Sequence, residues 1–228
     1  MRKKIAIVFF LAALAIGIEA VYYCRRPVRS TAVVESALVA FGGLRSIAAE
    51  IIWFRADRLQ EEGRYVELAQ LAHALTLSEP HTPEVWSYAA WNLAYNVSIM
   101  MPTPEDRWRW VESAIVLLRD DALRLNPGNK ALLRELAWLF ELKLGTDLDD
   151  AAEVYRRIWR EKVETAEKMD DWASLGMEKH KMADIEMRYG LKDRGDPCYS
   201  AVYWAHQGGI NDILVQSLRI YRKNHPDG

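Results

Sequence analysis

The stretch that decides the fold is residues 62–93, EGRYVELAQLAHALTLSEPHTPEVWSYAAWNL. Apolar side chains recur three and four positions apart on both sides of its centre, which is the spacing of an α-helix. Pro80 ends the first of these two segments. Thr82 followed by Pro83 begins the second, because a threonine cap and a proline in the first turn both favour a helix start. The stretch therefore predicts two helices joined by a short turn.

The same periodicity continues along the rest of the body. No run of alternating apolar and polar residues is long enough to indicate a strand, so the chain from residue 31 onward is predicted to be all-α. Glycine, proline and asparagine residues divide it into separate helices. Their predicted ranges are 31–61, 64–78, 83–100, 104–125, 130–144, 147–169, 171–189, 199–207 and 211–224.

Composition and charge fit a folded domain. The 228 residues are 50% apolar and 27% charged, with a formal charge of −2. Residues 1–30 hold six basic side chains against Glu19 alone, a net charge of +5, so the remaining chain carries −7. A nucleic-acid partner requires clustered lysine and arginine side chains, and this acidic body has no basic stripe. We therefore expect no nucleic acid among its partners.

The first 30 residues have the pattern of a single membrane anchor. An apolar run, Ile5–Ile18, follows three basic residues and extends past Glu19 to Arg25 and Arg26. About 19 residues of this kind form a helix of roughly 28 Å, close to the thickness of the hydrocarbon layer. A cleavable secretory signal is the competing interpretation, but the residues before position 20 make a poor cleavage site. An uncleaved transmembrane helix is therefore predicted.

The orientation of the anchor rests on a small difference in charge. Three basic side chains stand on each side of the apolar run, so only the terminal amino group favours one side over the other. We predict an amino terminus in the cytosol. The body then lies on the periplasmic or extracytoplasmic side of the inner (plasma) membrane.

Repeated features in the body resemble the tetratricopeptide repeat family, in which each unit is a helix-turn-helix of about 34 residues. The residues that match the first three units are Glu62, Gly63, Arg64, Tyr65, Leu68, Ala69, Ala72, Leu75 and Pro80, then Trp86, Ala89, Ala90, Leu93, Ala122, Leu125, Asn126 and Pro127, then Leu133, Leu136, Ala137, Phe140, Ala151, Tyr155 and Ile158. A fourth unit begins with Trp172, Leu175 and Gly176. The second unit departs from the pattern by about 13 extra residues around Met100 to Arg109.

This resemblance implies three regions. Residues 1–30 form the anchor, residues 31–169 form a TPR-like α-solenoid, and residues 170–228 form a degenerate C-terminal repeat with a helical cap. The solenoid contains about three to four helix-turn-helix units. Small residues such as Ala90 let the two helices of a unit approach, while bulky ones such as Phe140 fill the space beside them.

The resemblance also implies a binding groove. In tetratricopeptide domains the first helix of each unit lines a concave surface that holds a segment of a partner protein. The positions that correspond to this surface are Trp53, Asp57, Trp91, Tyr95, Arg134 and Trp138. Tryptophan, tyrosine and arginine are enriched in binding hot spots. The alternative is that these rings pack between units or against the helix predicted from residue 31.

The sequence lacks the motifs that would indicate catalysis. It contains no glycine-rich phosphate loop, no His-Glu-x-x-His, no paired cysteines and no Gly-x-Ser-x-Gly. Adjacent acids such as Asp149 and Asp150 point about 100° apart on a helix and do not converge on a substrate, so they are interpreted as solvated or capping residues. We therefore expect no catalytic residue, no metal and no cofactor.

These inferences predict a membrane-anchored TPR-like scaffold or assembly subunit that holds a membrane-associated protein partner. Two alternatives stay open. A purely structural accessory subunit would bury the same repeats against other chains of a large membrane assembly and leave the groove empty. A cell-envelope enzyme of the glycosidase type would require a buried carboxylate in a cleft, for which Glu135 and Glu141 are the candidates.

Overall fold

Helices make up the secondary structure of the part that is described, as the apolar periodicity predicts. The computed structural model describes residues 54–226 except residues 57 and 60, and no strand occurs among them. Its helices are α1 (Tyr65–Ser78), α2 (Pro83–Trp91), α3 (Pro104–Val116), α4 (Lys130–Trp138), α5 (Ala152–Met169), α6 (Lys179–Tyr189), α7 (Pro197–Gly208) and α8 (Asn211–Asn224). Before α1, the described residues of 54–61 are also helical.

Three of these helices continue into wider π-helical turns. The π-helical segments are Asn92–Val97 after α2, Leu117–Ala122 after α3 and Leu139–Leu144 after α4. The first is followed by a 3-10 turn, Ser98–Met100, and the second by one further α-helical turn, Leu123–Leu125. The combined segments cover the predicted ranges 83–100, 104–125 and 130–144, which are confirmed.

Several predictions concern residues outside the part of the chain that is described. They are the transmembrane helix within residues 1–30, the helix from residue 31 to residue 53, and the groove residues Trp53 and Asp57. Within residues 54–226, every described helix is too short or too polar to cross a lipid bilayer.

Local capping explains where two helices begin. The Thr103 side chain accepts a hydrogen bond from the backbone N–H of Asp106 at 3.1 Å, and Pro104 takes the first turn of α3. The start of α7 at Pro197 is two residues earlier than predicted, because the Asp196 side chain accepts a hydrogen bond from the Cys198 N–H at 2.7 Å. An aspartate before a proline is the helix-start signal that the prediction overlooked.

The prediction of one helix over residues 171–189 is wrong. This segment contains a 3-10 turn, Trp172–Leu175, and then α6, and Gly176 between them has a φ of +67°. That left-handed conformation ends a helix and suits glycine. A Cβ atom at this position would also lie 2.5 Å from Cδ of Arg119. The Trp-x-x-Leu-Gly residues therefore do not open a long first helix of a fourth unit.

The helices pack in a regular order of neighbours. Helix α2 contacts α1, α3 and α4, and α4 in turn contacts α7 and α8. The π-helical segment that follows α4 contacts α5. Helix α3 contacts α5, while α7 also contacts α6 and α8. Helices α2, α4 and α7 therefore lie side by side, with α3 and α5 adjacent to each other beside them.

The core lies mainly between these helices. Ala90, Ala137 and Phe140, three residues that the repeat spacing assigned to helix packing, are each at most 1% exposed. Helix α7 is the most deeply buried element, with ten of its 12 residues inside. A second and smaller cluster joins the residues before α1 to α1, and its buried members are Ala56, Leu59 and Leu68.

Candidate functional site

Three of the predicted groove residues form one aromatic surface on α2 and α4. The ring centroids of Trp91 and Tyr95 are 5.9 Å apart and nearly parallel, and those of Tyr95 and Trp138 are 6.4 Å apart. Each tryptophan is 37% exposed, whereas Tyr95 is partly buried between them. We call these three residues the aromatic surface. Its rings are open to solvent and also packed against one another.

The backbone becomes π-helical at the aromatic surface, both after α2 and after α4. Trp91 is the last residue of α2, and Tyr95 lies in the π-helical segment that follows it. Trp138 is the last residue of α4 before the segment Leu139–Leu144. A π-helical turn holds an extra residue and shifts the side chains that follow it, and such turns occur frequently at functional sites.

The predicted groove residue Arg134 has a partner of its own. Its guanidinium donates two hydrogen bonds to the Asp212 carboxylate of α8, at 3.0 and 2.5 Å. Seven positions further along, Glu141 accepts a hydrogen bond from the Ser217 hydroxyl of α8 at 3.1 Å. Arg134 and Trp138 are four positions apart and share one face of α4, and both Arg134 and Glu141 bond to α8. Helix α8 therefore borders the aromatic surface.

A buried ion pair lies beneath the rings. Lys143 pairs with Asp149, and their side chains are 3% and 9% exposed. The ammonium nitrogen of Lys143 is 4.9 Å from the centre of the Tyr95 ring, a cation–π distance. Burial opposes ionisation of Asp149, but hydrogen bonds from Lys143 and from the Ala151 N–H outweigh it and lower the pKa of that carboxyl group.

The interpretation of Asp149 and Asp150 as solvated or capping residues is incomplete, because Asp149 accepts a hydrogen bond from the Ala151 N–H before α5 and also pairs with Lys143. Asp150 is exposed and pairs with Arg107, in agreement with a solvated role. Asp149 is buried and holds a lysine that the prediction did not select. The available signal was Lys143 itself, which is the one charged residue besides Glu141 in the apolar run Leu139–Leu144. A charged side chain in such a run requires a partner.

Two tyrosine hydroxyl groups at this site have no hydrogen-bond partner among the described residues. The Tyr95 hydroxyl is enclosed by protein, and burial together with the charges of Glu135 and Asp149 raises its pKa above the ordinary value. Burial and the nearby Asp149 carboxylate likewise raise the pKa of Tyr155, although no hydrogen bond of acceptable geometry joins them. Both hydroxyl groups therefore remain protonated at neutral pH.

Glu135 and Glu141 are carboxyl groups in unfavourable surroundings. Burial raises the pKa of Glu135 above its ordinary value, and the charge of Arg134 opposes this only in part. Burial also raises the pKa of Glu141, whose hydrogen bond to Ser217 acts in the opposite direction. Glu141 is only 5% exposed, whereas Glu135 is partly exposed. Glu135 is thus the carboxyl group of the two that a ligand can approach.

A cleft away from the aromatic surface lies between α3 and α5. It has a volume of about 510 Å³, with Trp108, Ile115 and Trp159 among its lining residues. Neither Glu135 nor Glu141 lines it. Within residues 54–226 no group of three or more histidine, cysteine, aspartate or glutamate side chains is arranged to hold a metal ion.

Comparison with known proteins gives no relative for this chain. No family model matches it, and no curated protein or solved structure is significantly similar to it.

Proposed function

We propose that this chain is a membrane-anchored scaffold or assembly subunit of a membrane protein complex, and that its TPR-like solenoid binds a protein partner without catalysis. The observation that carries the proposal is the aromatic surface. Two tryptophans that are 37% exposed flank a tyrosine on adjacent helices, at positions that the repeat spacing assigned to a groove. Large aromatic side chains that are held rigidly and left open contribute strongly to protein binding.

The order of helix contacts supports the TPR-like part of the proposal. A stack of helix pairs places first helices beside first helices and second helices beside second helices. The contacts of α2 with α4 and of α3 with α5 follow this order. Helix α7 occupies the next position after α4, so the fourth pair of the stack is α7 with α8 and not the segment that begins at Trp172.

The anchor proposed for residues 1–30 has a role in this function. Fixing the groove at the bilayer makes its contact with a membrane-embedded partner effectively intramolecular, which raises the local concentration. A body on the extracytoplasmic side of the inner membrane would meet partners there. Crosslinking in intact membranes followed by mass spectrometry identifies both the partner and the compartment.

The test replaces the two exposed tryptophans. In the double variant Trp91→Ala and Trp138→Ala, a partner that co-purifies from solubilised membranes should be lost while the helical circular dichroism stays the same. Trp110→Ala is the matched control, because Trp110 is a partly exposed tryptophan of α3 outside the aromatic surface. Retention of the partner by the double variant would contradict the proposal.

Two other functions have separate tests. A structural subunit with an empty groove would stay in a large, stable complex after detergent solubilisation and size-exclusion chromatography, even with both tryptophans replaced.

A glycosidase-like enzyme is favoured by the raised pKa values of Glu135 and Glu141. It would hydrolyse cell-wall polysaccharide and lose that activity in Glu135→Gln. The burial of Glu141 argues against this enzyme, because two carboxyl groups must reach the same substrate.

A further inference from the structure

The aromatic surface has an acidic group at its edge. Glu135 stands three positions before Trp138 on α4, so the two side chains share a face of that helix. Burial, and after it the charge of Glu135, raises the pKa of the Tyr95 hydroxyl. Glu135 itself is partly buried, and no salt bridge to it is formed within the described residues.

The basic groups around Glu135 are already neutralised. Arg134 pairs with Asp212, and Lys143 pairs with Asp149. Each pair cancels most of its own charge, and Arg134 compensates the burial of Glu135 only in part. Glu141, in the π-helical segment after α4, adds a second acidic group. The aromatic surface is therefore bordered by an excess of negative charge.

An unpaired carboxylate that is partly removed from water is unfavourable until a cation approaches it. The Tyr95 hydroxyl is buried without a hydrogen-bond partner in the part of the chain that is described. The aromatic surface thus has one buried hydroxyl without a partner and, on the helix face of Trp138, one partly buried carboxylate. A ligand that supplies a positive charge and a flat or aliphatic surface would satisfy the charge and cover the rings together.

We propose that the occupant of the groove is a segment of the partner protein that lays an arginine or lysine side chain across the rings of Trp91 and Trp138, with its charge at Glu135. This inference rests on the proposed function, because it names the chemistry of the partner at the same site. Arginine suits the site best, since its planar guanidinium group stacks on aromatic rings and donates in pairs to a carboxylate.

The test uses the full-length chain in detergent micelles and four sets of blocked peptides. Each peptide has seven residues, randomised except at the centre, which is fixed as arginine, lysine, leucine or glutamate. The arginine set should bind about tenfold more tightly than the leucine set, measured by fluorescence anisotropy, and the glutamate set should bind most weakly.

Variants at one position then assign the preference. Glu135→Gln keeps the shape of the side chain and should bring the arginine set to the affinity of the leucine set. Glu135→Arg should reverse the order in favour of glutamate. Glu153→Gln is the matched control, since Glu153 is an exposed carboxylate of α5 away from the rings, and it should keep the arginine preference.

The outcomes separate the two proposals. Equal binding of the arginine and leucine sets, lost in Trp138→Ala, would contradict the cationic occupant and still support the groove. An arginine preference that persists in Glu135→Gln would also contradict the proposal, because the arginine would then not bind at Glu135. Binding of none of the sets would contradict the cationic occupant and the proposed function together.

Discussion

Two groups of aromatic rings in this protein have similar composition and different surroundings. Trp108, Tyr155, Phe140 and Trp159 form a buried group, in which centroid distances are 6.0 Å for the first two and 4.7 Å for the last two. Each of these four side chains is at most 4% exposed. Trp91, Tyr95 and Trp138 pack on one another at comparable distances, but both tryptophans remain open.

The comparison shows that residue type does not separate core rings from candidate binding rings. Trp138 and Phe140 are two positions apart on the same continuous helix, and successive positions of a helix face about 100° apart. One ring therefore points to the aromatic surface and the other into the core. Stability should depend on the buried group, and binding should depend on the open group.

The largest expected effect is in the buried group. Trp159→Ala removes a ring that contacts Phe140 and is 3% exposed, which leaves a cavity that helices cannot fill. The free energy of unfolding should fall by about 3–5 kcal/mol, measured by urea denaturation followed by circular dichroism. Trp110→Ala, the control on α3, should lose much less. Equal losses of unfolding free energy in the two variants would contradict the expectation that stability depends on the buried rings.

The next effect concerns the buried ion pair beneath the open group. Lys143→Met leaves Asp149 buried without its cation and should cost about 3 kcal/mol of unfolding free energy. The double variant with Asp149→Asn removes both charges and should be more stable than Lys143→Met alone. A double variant that is no more stable than the single one would show that the charge of Asp149 is not the cause.

The dependence of unfolding free energy on pH tests whether the charge of Asp149 causes the loss of stability in Lys143→Met. In the native chain the pKa of Asp149 is lowered, so its contribution to stability is present above the unfolded pKa of about 3.9 and is lost as pH falls through the folded pKa. Without Lys143 the burial of Asp149 dominates and raises that pKa. Lys143→Met should therefore gain stability as pH falls from 7 to 4, relative to the native chain. The same pH profile in both proteins would contradict this account.

The sequence predicted the elements that depend on local spacing. The ranges 83–100, 104–125, 130–144 and 211–224 follow from apolar periodicity and turn residues, and the structure confirms them. The repeat pattern placed Ala137 in the core, and the resemblance to tetratricopeptide repeats selected rings that the structure brings together. The helices could be predicted because each is determined by residues within a few turns of one another.

The prediction failed where side-chain packing, and not the local helix pattern, decides the outcome. Gly176 adopts a left-handed conformation beside the side chain of Arg119, which lies 57 positions earlier in the chain. The loop before α5 is fixed by the pairing of Asp149 with Lys143, so that helix begins at Ala152 and not at residue 147. Adjacent aspartates look equivalent in sequence, and only the packing of the loop separates the buried one from the solvated one.

A smaller effect on stability is expected in the open group. Trp138→Ala removes a ring that is 37% exposed and contacts Tyr95, so the free energy of unfolding should fall by about 1 kcal/mol. Binding of the partner should nevertheless be lost. Urea denaturation and co-purification from membranes measure the two effects on the same preparation. A loss of stability as large as that of Trp159→Ala would instead assign Trp138 to the core.

The smallest expected effect has the opposite sign. Because burial raises the pKa of Glu135, its contribution to stability is fully present below the unfolded pKa and is lost as pH rises through the folded pKa. At neutral pH the charged group therefore weakens the fold, and Glu135→Gln should stabilise it by less than about 1 kcal/mol, an advantage that disappears near pH 4. Paired urea denaturation at pH 7 and pH 4 measures this difference, with Glu153→Gln as the control that stays unchanged. Binding of a cation at the open rings, as proposed, would offset this cost in the complex. A loss of stability in Glu135→Gln at neutral pH would make Glu135 an ordinary structural residue.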